Sequence, residues 1–297
     1  MSMLQPAVMS ISADRTESLS KLIKMSHDTP MDFANALPWE IEIDRGSTPK
    51  VAEHGWLYGT PYYSALDESQ RQELLWLEVA RDVSLFIHLE QILPLLYMNY
   101  VYRHPQELTP AMSEYLMIFS KEEIVHTMVF KRYMEKAKLP IFWDHTMPPE
   151  ALAGLYKLPP AGGVIYTLIV EWVAELGAMH STQDDGIEPL TREMFRRHHI
   201  DESRHIAFGR WVAEDFFSNG PTPLVQNVRE MVKGMMAKLI PLYTFDPLIS
   251  NYTSFRFPVA PDDTDAIAQV RNSAANQALN ERRFAPLFTW LKKWELM

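Results

Sequence analysis

The chain contains no cysteine. A disulfide framework, a thiolate metal site, an iron–sulfur cluster and a cysteine nucleophile are excluded with it. Any metal site has to be assembled from His, Asp and Glu, whose nitrogen and oxygen donors suit iron, manganese or zinc. Positive charge is also in short supply: 28 Lys and Arg stand against 38 Asp and Glu, a net charge of −10. Nucleic acid is therefore not an expected partner, because a general binder needs a basic stripe to neutralise phosphates. Long apolar runs are missing too. No stretch of about 18 residues is apolar and free of charge, so no membrane partner is expected. The opening residues MSMLQPAVMSISADRTESLS hold no extended apolar core and carry Asp14 and Glu17, unlike a secretory signal. A cytoplasmic location is the expectation that follows.

What is present is an ordinary globular balance, 47% hydrophobic and 22% charged over 297 residues, enough for a sizeable core. Residues 1–66 read as an irregular cap. A short helix fits Glu17–Lys24, but Pro30, Pro38, Pro49 and Pro61 then prevent a long one. Trp39, Trp56, Tyr58, Tyr62 and Tyr63 lie among those prolines, as in a segment that packs onto something else. Residues 67–297 read as one all-α domain of the ferritin-like kind, a helical bundle with additional C-terminal helices.

Within that domain the helices punctuate themselves. The first starts near Asp67 and runs past Glu90 to about Tyr102, with a kink expected at Pro94. The second starts at Thr109-Pro110, an N-cap followed by proline, and ends before Pro140. A third follows Gly162-Gly163 and ends near Asp184. A fourth runs from Pro189 to the stop signal Asn219-Gly220. A fifth runs from Thr222-Pro223 to near Pro241. Residues 242–263 read as a loop, followed by helices at Thr264–Leu279 and Asn280–Trp294.

The fourth helix carries the strongest chemical signal. His198, Glu202 and His205 are spaced i, i+4, i+7. Seven residues at about 100° each return to within roughly 20° of the start, so the three form one stripe. On the second helix Glu123 and His126 share a face with Leu116, Phe119 and Phe130. With 23 glutamates and 10 histidines in the chain, about one E-x-x-H arises by chance. There are two, both on helical segments, and one is extended by His198.

Ferritin-like di-iron bundles add one Glu from each of the two remaining helices. The first helix offers Glu90, whose face-mates Val83, Phe86, Ile87, Leu93 and Tyr97 are apolar or aromatic. A buried carboxylate there needs a cation to compensate it. The third offers Glu171, with Thr167 and Ala174 leaving room for dioxygen or substrate; Glu175, one turn on, competes with it. The order is then E, E-x-x-H, E, H-x-x-x-E-x-x-H. Asp201, directly before Glu202, fits an outer acceptor that steadies a ligand imidazole such as His126. His88, His180 and His199 read as structural, and His104 and His145 as loop residues.

This set resembles the AurF-type p-aminobenzoate N-oxygenases, in E-x-x-H at Glu123–His126 and H-x-x-x-E-x-x-H at His198–His205. The third histidine separates that family from ferritins. The likeness covers about residues 67–240. It implies Glu90, Glu123, His126, Glu171, His198, Glu202 and His205 as ligands to two irons. It also implies dioxygen as co-substrate, a small-molecule amine oxidised to the hydroxylamine, nitroso or nitro level in secondary metabolism, and an external reductase. A homodimer is a further expectation. In that family an arginine a few residues before the first ligand helps hold the substrate carboxylate; here Leu85 stands at that place, with Arg81 one turn earlier. Leu85, Arg81, Tyr97, Thr167 and Ala174 are the candidate pocket residues. Two rival readings use the same motifs: a di-iron C–H hydroxylase or desaturase, and an iron storage or detoxification protein.

Overall fold

Asp67 opens the helix that organises the protein. Its carboxylate accepts from the Gln70 backbone N–H at 2.8 Å, and the Gln70 side chain accepts from the Asp67 N–H at 2.9 Å. This reciprocal pair satisfies two donors that a helix start otherwise leaves bare. The computed structural model describes residue 9 and residues 11–143, 147–178 and 184–297. Among these the chain is all-α, with no strand.

The helices are α1 (Ala13–Asp28), α2 (Pro61–Ser64), α3 (Glu68–Arg103), α4 (Pro110–Ala137), α5 (Pro149–Leu155) and α6 (Pro160–Ala178). They continue with α7 (Pro189–Asn219), α8 (Thr222–Thr244), α9 (Thr264–Arg271), α10 (Ala274–Arg283) and α11 (Ala285–Lys293). The ferritin-like bundle consists of α3 paired with α4 and α6 paired with α7, with α3 also against α6. On its outside α1 crosses α4 and α7, and α8 covers α6.

The four bundle helices start and stop close to where their punctuation puts them. Thr109 caps α4 by accepting from the Met112 N–H at 3.2 Å, and Pro189 and Asn219 bound α7. Other boundaries differ. The short N-terminal helix extends to Ala13–Asp28. The helix α5 and a 3-10 turn at Pro247–Tyr252 occupy stretches that read as connections. The third helix is described only to Ala178, and Asp184 is not helical; residues 179–183, with His180, lie outside the described residues, as does His145.

The fifth helix does not stop at Pro241 but runs on to Thr244. Pro241 has no N–H to give the Ala237 carbonyl, and the carbonyls left open by the helix end just beyond it are met by arginines. Arg81 donates to the Leu242 carbonyl at 2.6 Å, and Arg283 donates to that of Tyr243. The two C-terminal helices are in fact three. Ser273 caps a new start by accepting from the Asn276 N–H at 3.3 Å, and Pro286 lies in the first turn of the last.

The N-terminal segment packs as its aromatics suggest. Trp56 and Leu57 are fully buried and join the hydrophobic cluster that α3 contributes to. Lys50, also buried, reaches Glu78 at 3.2 Å and Asp82 at 3.4 Å on α3. The helix α6 is long and apolar enough to cross a membrane, yet 89% of that window is buried inside the bundle. Its Gly177 makes close packing possible: a Cβ there would lie 2.4 Å from the Tyr243 ring of α8.

Candidate metal centre

Four helices bring seven donor side chains to one interior region. Glu90 comes from α3, Glu123 and His126 from α4, Glu171 from α6, and His198, Glu202 and His205 from α7. None is more than 3% exposed. Two overlapping groups could each hold an ion, with ligand atoms within 4.8 Å of one another: Glu90, His126, His198 and Glu202, and Glu123, Glu202 and His205. Glu202 belongs to both groups. Glu171 joins neither group, but its charge is felt by Glu202, Glu123 and Glu90.

The distances are short without being hydrogen-bonded throughout. His198 Nε2 lies 3.0 Å from Glu90 Oε1 and 3.2 Å from Glu202 Oε1. His205 Nδ1 lies 3.0 Å from Glu123 Oε1 and 3.3 Å from Glu202 Oε1. His126 Nδ1 lies 3.5 Å from Glu202 Oε1. Buried polar atoms are normally paired. Here Glu123 Oε1, His126 Nδ1, Glu171 Oε1, Glu202 Oε1 and His205 Nδ1 have no hydrogen-bond partner. Lone pairs converging in a water-poor interior are what a bound cation satisfies. The charge agrees: four carboxylates with neutral imidazoles balance two divalent cations. The nitrogen and oxygen donors suit iron, so the residues present fit a di-iron group.

The titration behaviour reflects the same crowding. Burial pushes the Glu90 carboxyl up to about 8 against the pull of His198. Burial, then the negative charges of Glu202 and Glu123, push Glu171 well above the carboxylate range. Burial would raise Glu202 too, but the imidazoles of His198 and His205 outweigh it and hold it well below.

Each imidazole has a carboxylate behind it. His126 Nε2 donates to Asp201 at 3.0 Å, and His205 Nε2 donates to Glu122 at 2.8 Å. His198 Nδ1 lies 3.4 Å from Glu175, whose other oxygen takes the Nδ1 of His199. The buried Arg204 ties two of these carboxylates together, donating to Glu122 at 2.7 Å and to Asp201 at 2.5 Å. Such partners fix tautomer and ring orientation, so Nδ1 of His126 and His205 carries its lone pair inward. Rings complete the setting: Phe119 stacks on His205 at 3.5 Å, and Phe86 and Phe130 pack on His198.

Sequence reasoning missed Glu122, Arg204 and this placement of Glu175. A signal was available. Glu122-Glu123, Asp201-Glu202 and Arg204-His205 each set a second polar residue directly beside a donor. The candidate pocket residues separate into three sets. Tyr97 donates to Thr167 at 2.5 Å, and Thr167 donates to the Val164 carbonyl, so these two hydroxyls serve each other. Leu85 and Ala174 line a cavity beside the centre. Arg81 does not line it, and its guanidinium is held by Asp246 and Asp82. Of the other histidines, His88 donates to the Phe142 carbonyl and His104 pairs with Glu107.

A family model described as P-aminobenzoate N-oxygenase AurF matches residues 12–293. The match extends well beyond the stretch that carries the motifs, into both the N-terminal segment and α11. A comparison with curated proteins returns no match.

Proposed function

The chain belongs to the p-aminobenzoate N-oxygenase AurF family, and we propose that Glu90, Glu123, His126, Glu171, His198, Glu202 and His205 hold its two irons. It is a di-iron, dioxygen-dependent N-oxygenase, an oxidoreductase acting on a small-molecule amine. The observation that carries the ligand assignment is the set of five buried donor atoms without hydrogen bonds, gathered around Glu202. The rival readings, C–H oxidation and iron storage, are not favoured by the family.

The bound irons supply dioxygen activation. The protein supplies the rest. Asp201, Glu122 and Glu175 orient the three imidazoles, Arg204 neutralises two of those carboxylates, and the phenylalanine shell excludes water. The first oxidation balances as amine plus dioxygen plus two electrons and two protons, giving hydroxylamine and water. The two electrons come from an external reductase. This belongs to the proposal, as do a cytoplasmic location and a role in secondary metabolism. A homodimer also belongs to it, supported by large apolar side chains left exposed on two bundle helices, Leu95, Met98 and Tyr102 on α3 and Met117, Ile124 and Met128 on α4.

The purified chain is expected to bind two irons per monomer, and Glu123→Ala and Glu202→Ala to lower that count. Iron quantification with a folding check by circular dichroism decides it. Two irons and full amine oxidation in both variants would mean that the ligands lie elsewhere.

A further inference from the structure

Of the eight tryptophans, three form a line that starts beside a metal ligand and ends at the surface. Trp172 immediately follows Glu171 on α6. Its ring meets that of Trp290 on α11, with centroids 5.7 Å apart. Phe217 of α7 comes next, 6.4 Å from Trp290 and 5.8 Å from Trp294. Centroids about 4.5–7 Å apart belong to rings in contact. Trp172 and Trp290 are buried. Trp294 is partly exposed and lines a surface groove of about 270 Å³ with Trp211, Glu214 and Lys293.

Charge along the line is uneven. The Arg210 guanidinium lies over Trp172 at 5.3 Å, so positive charge is disfavoured on that ring. At Trp290 the neighbour is a carboxylate: the indole Nε1–H donates to Glu214 at 3.3 Å. An indole that loses an electron becomes a much stronger acid, and here an acceptor stands ready for its proton. Trp39 and Trp76 give their N–H to backbone carbonyls, which cannot keep a proton. Trp294 Nε1 has no hydrogen-bond partner, and the Lys293 ammonium lies 5.0 Å from its ring. Trp290 is therefore the ring of the line best able to hold an electron vacancy, as a neutral radical. The Trp172 and Glu171 side chains leave their helix about 100° apart, so no contact between indole and iron is implied. None is needed, because an electron, unlike an atom, crosses the width of a helix, roughly 10 Å, without contact.

We propose that Trp172, Trp290 and Trp294 form a protective electron path, which draws off oxidising equivalents when dioxygen is activated with no amine bound. The proposal rests on the di-iron N-oxygenase reading. In the step, one electron passes to the centre by way of Trp172 and is lost from Trp290, whose Nε1 proton moves to Glu214. An N–H bond breaks and an O–H bond forms; Trp290 is oxidised by one electron and the centre is reduced by one. The neutral indolyl is restored through Trp294 by one electron from a water-soluble reductant such as ascorbate at the groove, and the proton returns from Glu214.

The test exposes reduced, iron-loaded protein to dioxygen without amine and freeze-quenches it for electron paramagnetic resonance. An organic radical signal is expected, and it should narrow when the protein carries ring-deuterated tryptophan, which identifies an indole. Ascorbate should hasten its decay. Trp290→Phe and Glu214→Gln are both expected to lose the signal with two irons retained. Glu214→Gln leaves every ring in place, so its loss is not a packing defect. No radical, a radical insensitive to the label or to ascorbate, or a signal of parent intensity in either variant overturns the proposal while bound iron and dioxygen consumption stand. The underlying reading fails differently, by absence of bound iron or of dioxygen consumption in the unmodified protein, and takes the proposal with it.

Discussion

Glu175 stands behind His198. Its Oε2 lies 3.4 Å from His198 Nδ1, on the side of the ring away from the metal centre, and its Oε1 is joined to His199. An imidazole steadied in this way presents Nε2 to Glu90 and Glu202 in one orientation.

Removing that support should loosen the centre without emptying it. Glu175→Ala is expected to weaken iron binding by about 10- to 100-fold, the scale for outer partners of ligand histidines. Glu175→Gln should restore part of the affinity, because an amide oxygen at the same place still faces Nδ1. An iron titration followed by the absorption of the loaded protein reads both. Wild-type affinity and spectrum in Glu175→Ala would show that the carboxylate only fills space.

Iron uptake should depend on pH through Glu90. Burial raises this carboxyl from 4.5 to about 8 when no metal is present, so a proton competes with the cation below that value. Affinity should therefore rise with pH up to about 8, with proton release on binding. The metal-free fold responds in the opposite sense. Glu90 keeps its proton in the folded state where the unfolded chain has lost it, so its contribution is full below the unfolded pKa and disappears as pH rises through about 8. Proton release in a pH-stat, with unfolding of metal-free protein at several pH values, checks both signs. Metal affinity that is flat with pH would refute the account.

Arg81→Ala should act on stability and leave the metal alone. The guanidinium is fully buried between Asp82 and Asp246. Removing one partner of a buried ion pair typically costs about 3–5 kcal/mol, because the carboxylates are left uncompensated. Denaturant unfolding measures the loss, and iron content should stay at two per chain under native conditions. A variant as stable as the parent would contradict this; one that is stable but loses amine binding would place Arg81 at the substrate after all.

Much of the protein was determined locally. The spacing of His198, Glu202 and His205 compels one helix face whatever surrounds it, because the α-helical period is a property of the backbone. The caps at Asp67 and Thr109 and the start at Pro189 are likewise chemistry between residues a few positions apart. The lack of cysteine restricted the donors to nitrogen and oxygen before any fold was known. Tertiary structure decided what depends on which helices meet. Glu171 and Glu175 are one turn apart on α6 and equivalent by spacing. Packing of α6 against α7 puts Glu175 on His198 and His199 and leaves Glu171 Oε1 without a hydrogen bond. Arg81 and Leu85 are likewise neighbours on α3. Asp246, far along the chain, holds one, and α8 closes an apolar wall over the other. Long-range charge pairing and burial have no period along a sequence, so only the folded arrangement could separate these pairs.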